Sequence, residues 1–255
     1  MARIPCSCMS ICSQPLYMVY VMKTIQIWGD SVLRGVVYDE ETQRYSTIDD
    51  NSIALAAEET KLNFLNSSRF GMTAKKACDL LLSHLKKKPE GDIAIIEYGG
   101  NDCNFKWEEI AVTPNDEHTP NTPVEVFKGC VQTMITALKK INIRPVLMTL
   151  PPLDAGKFFD WVTKSAEAAK NVLAWLGDVE RIYRWQELYS LTILELAQEN
   201  DVPVIDTRKA FLTSPNFKSL LCRDGMHPNQ NGQKVIANAI VEFFSKLKPT
   251  LAIER

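Results

Sequence analysis

The chain has 255 residues, 45% of them hydrophobic and 24% charged, with a formal net charge of −2. A chain of this size can bury a core in one α/β domain without staples. Its balanced charge argues against nucleic acid as a partner, and the densest basic run, Lys86-Lys87-Lys88, sits where it complements the end of a helix.

The apolar stretch 16–22 is too short to span a bilayer. Its charged lead-in is only Arg3, and it lacks the small-residue cleavage site of a signal peptide. Residues 1–22 are therefore expected to lie outside the fold, as a disordered or non-native extension. Translation would start at Met18 or Met22, and residues 23–255 would form a single domain. The seven cysteines include no CxxC pair and no zinc-like spacing, so no metal site is expected from them. Scattered thiols fit a reducing, cytoplasmic compartment.

Ile25–Trp28 reads as a first strand ended by Gly29. Residues 50–63 carry alanines and leucines at helical spacing, and 63–65 form a weak second strand. Thr73 is placed to cap a helix running to about Lys87, with Ala74, Ala77, Leu80, Leu81 and Leu85 on one face. Residues 93–98 are a continuous apolar strand of the fully buried kind. Thr122-Pro123-Val124-Glu125 reads as a capping box with proline at the first helical position, opening a helix to about Ile141. Residues 144–149 are the next strand, stopped by Pro151-Pro152. A helix covers roughly 181–200, and 202–205 is the last strand. Asn229 or Asn231 opens a final helix with Val235, Ile236, Ala239, Ile240 and Phe243 inward. Strands alternating with helices imply an α/β fold on a five-stranded parallel sheet. The longest irregular stretch, 99–121, leaves the carboxyl end of a strand, where such sheets bind ligands, and is expected to be a functional loop or lid.

Of the three histidines, His84 lies in the helix that ends in lysines and His118 in a polar loop. His227 stands in Asp224-Gly-Met-His227-Pro228, just before the final helix. An aspartate three residues ahead of a histidine in a glycine-containing turn can hold one ring nitrogen and leave the other free to take a proton. The same turn could equally let Asp224 cap local amides. Gly29-Asp30-Ser31 follows the first strand, which puts the Ser31 hydroxyl and N–H at the ligand-binding edge. Gly99-Gly100-Asn101-Asp102 follows the most apolar strand, and the Asn101 amide offers two donors. Gly71 is the only glycine between Gly35 and Gly91 and can turn a bare N–H toward a ligand. Each signal alone is weak, but all four can converge on one sheet edge.

In this order the four segments resemble the blocks of the SGNH hydrolases, the GDSL esterases and lipases: a Ser in Gly-Asp-Ser, a Gly, an Asn in Gly-x-Asn-Asp and a His in Asp-x-x-His-Pro. The resemblance runs from about Lys23 to the final helix. One departure is Asn66-Ser-Ser68-Arg-Phe-Gly71-Met-Thr73, where Ser68 replaces the first glycine of Asn-x-Gly-x-x-Gly-x-Thr. The resemblance implies a flavodoxin-like, three-layer α/β/α fold and ester hydrolysis without metal or organic cofactor. Ser31 would be the nucleophile, His227 the base and Asp224 its orienting partner. Ser31, Gly71 and Asn101 would form the oxyanion hole. No phosphate-binding loop, dinucleotide fingerprint or His-Glu-x-x-His motif competes with that reading.

Between residues 157 and 189 lie Phe158, Phe159, Trp161, Trp175, Tyr183, Trp185 and Tyr189, with Trp107 in the other long loop. Such side chains could wall a cleft for a sugar ring or another compact alcohol. Equally, Trp161, Ser165, Ala168, Ala169, Val172 and Leu176 fall near one helical face and would pack an inserted helical hairpin. The expected substrate is a small-molecule ester with a short acyl group, acetyl first, on a polar alcohol such as a carbohydrate. The alternatives are a lysophospholipase or thioesterase acting on longer chains, a non-catalytic binding module and an acyltransferase. The sequence carries no signal for oligomeric state.

Overall fold

The structure is a computed structural model that describes residues 24–251, so the expected extension and Cys6, Cys8 and Cys12 lie outside the described residues. In chain order the elements are β1 (Ile25–Trp28), α1 (Ser31–Arg34), β2 (Val36–Asp39), β3 (Arg44–Thr47), α2 (Ser52–Thr60), β4 (Phe64–Asn66), α3 (Ala74–Leu85), β5 (Ile93–Ile96) and α4 (Trp107–Val112). There follow α5 (Val124–Lys140), β6 (Arg144–Met148), α6 (Ala155–Val162), α7 (Ala166–Leu176), α8 (Arg181–Glu199), β7 (Val204–Ile205), α9 (Thr207–Leu212), a 3-10 turn (Phe217–Leu220) and α10 (Gln230–Leu251).

The five expected strands form one parallel sheet in the order β4-β1-β5-β6-β7, the flavodoxin-like winding. Successive side chains along a strand point to opposite faces, so a sheet covered on both sides favours near-continuous apolar runs, as in β5 and β6. Ile25, Ile27, Ile93, Ile95, Val146 and Met148 pack with Leu33 of α1, Ile53 of α2, Phe211 of α9, and Ile236, Ile240 and Phe244 of α10. Trp28, Ala94, Ile96 and Leu147 pack with Leu81 of α3, Val131 and Leu138 of α5, and Ile193 of α8. These are the three expected layers. A third cluster, with Trp107, Ile110, Leu153, Phe158, Val172, Leu176 and Ile182, joins α4, α6, α7 and the start of α8.

Several local expectations are corrected. The capping box at Thr122 does not form. Pro123 is the N-cap, its carbonyl accepting from Phe127 N at 2.9 Å, and the Thr122 hydroxyl is drawn away to the buried Asp102 carboxylate. Thr73 makes no side-chain cap either, because Asp102 accepts from Ala74 N at 2.9 Å and takes that role for α3. One carboxylate thus overrides two local capping signals. Leu80 is exposed, and Phe244 rather than Phe243 is the fully buried phenylalanine of α10. Asn229 is the residue that caps α10, accepting from Asn231 N and Gly232 N. The antiparallel hairpin β2–β3, outside the main sheet, was not expected at all.

Candidate active site

Ser31, Gly71 and Asn101 all follow strands of the main sheet, β1, β4 and β5, at its carboxyl edge. Asp30 caps α1 through its Oδ1, which accepts from Val32 N at 2.8 Å, and this fixes Ser31 as the first helical residue. The Ser31 hydroxyl lies 3.0 Å from His227 Nε2, and His227 Nδ1 lies 2.6 Å from Asp224 Oδ2. All three residues are buried. The Asp224 carboxylate can only accept, so Nδ1 carries the proton and Nε2 is left to accept from Ser31. Asp224 Oδ1 accepts from Met226 N and His227 N, which folds the turn back on its own aspartate. Burial opposes the charge on Asp224, but the bonds from His227 and from these amides outweigh it and hold the carboxyl below its usual range. The turn is anchored by Asp154 N donating to Gly225 O at 2.8 Å.

Asn101 Nδ2 donates to Asp30 Oδ2 at 2.9 Å and to Met72 O at 3.1 Å. Both amide hydrogens are therefore engaged, so any further acceptor has to share or displace one of these partners. Gly71 directly precedes Met72 and has φ +66°, a left-handed conformation suited to glycine. Ser68, the departure from the glycine block, is buried with no positive φ. Its N–H donates to Asn66 Oδ1, so the backbone there has no need of glycine. His84 sits away from this cluster with its ring 5.3 Å from Trp28, and His118 Nε2 is 2.8 Å from Thr113 O.

Two neighbours of the site were missed by the sequence reading. Glu97, just past β5, is fully buried, and its Oε2 accepts from Asp30 N at 3.3 Å. Burial and the adjacent Asp30 push its carboxyl well above the ordinary range, and burial likewise raises Asp30. Burial also raises Asp102, to about 7, against its hydrogen bonds from Thr122 and Ala74. Three acids thus share one desolvated space behind Ser31. An acid within an otherwise apolar strand was the available signal. Tyr45, from the unexpected hairpin, donates its hydroxyl to Asp224 Oδ2 at 2.9 Å.

The GDSL-like lipase/acylhydrolase family pattern matches residues 27–235, which takes in every one of these residues. The chain belongs to that family. It is 24% identical over 200 residues to the isoamyl acetate-hydrolyzing esterase of Saccharomyces cerevisiae, covering 77% of this chain and 75% of that protein. It is 21% identical over 186 residues to the GDSL esterase/lipase CPRD49 of Arabidopsis thaliana; the match takes in 71% of this chain but only 66% of that relative's length. Among solved structures, the acetyl xylan esterase AlAXEase superposes with a TM-score of 0.60 at 20% identity, over 88% of this chain and 99% of that one.

Around the GDSL serine lie two aromatic surfaces. On one side Tyr45 and Phe70 flank the His227 ring, at 5.0 and 6.2 Å, and Trp161 packs edge-on against Tyr38 of the hairpin. Trp161 therefore serves this rim rather than an inserted helical hairpin. On the other side is a cavity of about 270 Å³ between α4, α6, α7 and α8. Phe105, Trp107, Phe158, Trp175 and Trp185 line it, and Gly100 and Met226 form its border with the site. Among the described residues no cluster of His, Cys, Asp and Glu could hold a metal, and no helix is long and apolar enough to cross a membrane.

Proposed function

We propose that this chain is a serine esterase that hydrolyses small carboxylic esters through an acyl-enzyme. The observation that carries this reading is the continuous hydrogen-bonded path from the Ser31 hydroxyl through His227 to Asp224, at 3.0 and 2.6 Å. Ser31 Oγ attacks the acyl carbonyl as His227 Nε2 takes its proton, and Asp224 stabilises the imidazolium. The N–H groups of Ser31 and Gly71 and the Asn101 amide receive the oxyanion, Asn101 by yielding one resting acceptor. His227 then protonates the leaving alcohol and activates the water that releases the acid. The direct test is labelling by a fluorophosphonate, which is expected at Ser31 in the wild type and absent in Ser31→Ala. Labelling that persists in the variant would refute the assignment.

For the substrate we favour short acyl groups, acetyl first, on a polar alcohol such as a carbohydrate. The yeast relative acts on an acetate ester and the superposed structure is an acetyl xylan esterase, and the half-exposed rings beside His227 offer flat faces for a sugar. A second reading, cleavage of longer acyl chains, is favoured by the apolar cavity. A cavity of about 150 Å³ takes a benzene, so one near 270 Å³ has room for a chain or ring of greater bulk. Specificity as kcat/KM across acetyl, butyryl, octanoyl and palmitoyl esters separates them. A fall along the series supports the first reading, and a maximum at octanoyl supports the second.

A further inference from the structure

The β2–β3 hairpin stands apart from the main sheet, its two strands pairing with each other between α1 and α2. It is nevertheless tied to the loop that carries Asp224 and His227 at two points. Tyr38 N donates to Cys222 Sγ at 3.4 Å, and the Tyr45 hydroxyl donates to Asp224 Oδ2 at 2.9 Å. Among the described residues only Tyr45 and His227 donate to that oxygen, since the two backbone amides of the turn go to Oδ1. The direction of the phenol bond is fixed, because an ionised carboxylate can only accept. The Tyr45 ring is itself held by Tyr38 at 5.3 Å, Phe70 at 5.7 Å and Trp161 at 6.3 Å, and it lies 5.0 Å from the His227 ring.

We infer that Tyr45 is a positioning residue of the Ser31–His227–Asp224 triad: its hydroxyl locks the Asp224 carboxylate and draws off part of the charge that would otherwise stabilise the His227 imidazolium. The inference rests on the serine-esterase reading. A charge-assisted bond from a phenol takes a real share of a carboxylate's electron density. Without it Oδ2 faces His227 alone and binds the imidazolium more tightly, so His227 holds its proton to higher pH. The hairpin thus sets the working range of the base from outside the sheet. Other titratable groups facing this centre are Asp30 beside Ser31, Cys222 on the same loop and Tyr38 on β2, with Glu40 and Lys157 acting on Cys222. None of these supplies a second donor to Oδ2.

The test is Tyr45→Phe, which keeps the ring packing and deletes the donor, beside Tyr38→Phe, whose link to the loop runs through its backbone. With p-nitrophenyl acetate, the acid limb of kcat/KM in Tyr45→Phe is expected to move up by about half a pH unit, with kcat down roughly three- to tenfold and KM little changed. The Tyr38→Phe limb stays in place. The proton resonance of His227 Nδ1 should shift in Tyr45→Phe alone, a measurement that needs no substrate. If the wild type turns over and Tyr45→Phe leaves both limb and resonance unmoved, the role of Tyr45 is overturned by itself. A wild type without turnover overturns the serine-esterase reading on which it rests.

Discussion

Asp30, the residue immediately before Ser31, holds the Asn101 amide through its Oδ2 at 2.9 Å, while Met72 O holds the amide's other hydrogen. The amide is therefore oriented before any substrate arrives, and in the proposed reaction its stronger use would come only as negative charge builds on the carbonyl oxygen. A donor of this kind acts in the transition state more than in the ground state. Asn101→Ala is expected to lower kcat by about 10²- to 10³-fold with a much smaller change in KM. Steady-state kinetics on one ester decides it, and an effect confined to KM would reassign Asn101 to ground-state binding.

The buried acids behind Ser31 predict an unusual dependence of stability on pH. Glu97, Asp30 and Asp102 all bind protons more tightly in the fold than in the unfolded chain, chiefly through burial. Stability from such groups is complete below the ordinary carboxylate range and is lost as pH rises through the raised folded values, about 7 for Asp102. Asp224 works in the opposite sense: its contribution is present above the ordinary range and lost as pH falls through its lowered folded value. Glu97→Gln removes one titration of the first kind. Its Tm should gain on the wild type as pH rises from 5 to 8. Calorimetry showing the same Tm difference at both pH values would contradict this account.

Replacement of the three residues along the proton path should separate chemistry from orientation. Ser31→Ala and His227→Ala are expected to fold and to lose activity to similar depth, because the two act as a unit. Asp224→Asn should retain more rate than either. A double variant of Ser31 and His227 much worse than the singles would argue that they work independently.

The histidine turn is sensitive to a single methyl group. A Cβ on Gly225 would lie 2.7 Å from Asp154 O and 2.8 Å from Phe158 N, at φ +69°, so turn and α6 cannot both keep their places. Gly225→Ala is expected to cost about 2–4 kcal/mol and to impair turnover. Gly71→Ala meets open space at φ +66° and should cost only about 1–2 kcal/mol of backbone strain. Denaturation midpoints of the two variants measure the contrast, and equal losses would defeat it.

The sheet was legible because its central strands β5 and β6 are apolar on both faces, and the order of Gly29-Asp30-Ser31, Asn101 and His227 could be matched to its edge. What escaped depended on distant partners. Thr122 carries a sound local capping signal, yet Asp102 claims it, and nothing near Thr122 announces that competitor. Tyr45 gains its role from Asp224, 179 residues away, and it sits on a short hairpin whose strands are largely solvated. Glu97 was legible in principle as an acid closing an apolar run, but its pairing with Asp30 exists only where β1 and β5 lie side by side. The aromatic cavity likewise arises from how α4, α6, α7 and α8 meet, which helical spacing along any one of them does not encode.

Gln233, fully buried in α10, accepts from Ser52 N at 2.9 Å and donates to Val32 O at 3.0 Å, which ties the last helix to α1 and α2. His227 rides just ahead of that helix, 196 residues from Ser31. The strands that carry Ser31 and Asn101 can pair before α10 arrives, but His227 reaches Ser31 only when α10 docks. Contacts of such long sequence separation form late, because a large loop must close first. During refolding, recovery of turnover therefore times the closing of a loop of 196 residues, and it should lag the return of sheet and helix signals in circular dichroism.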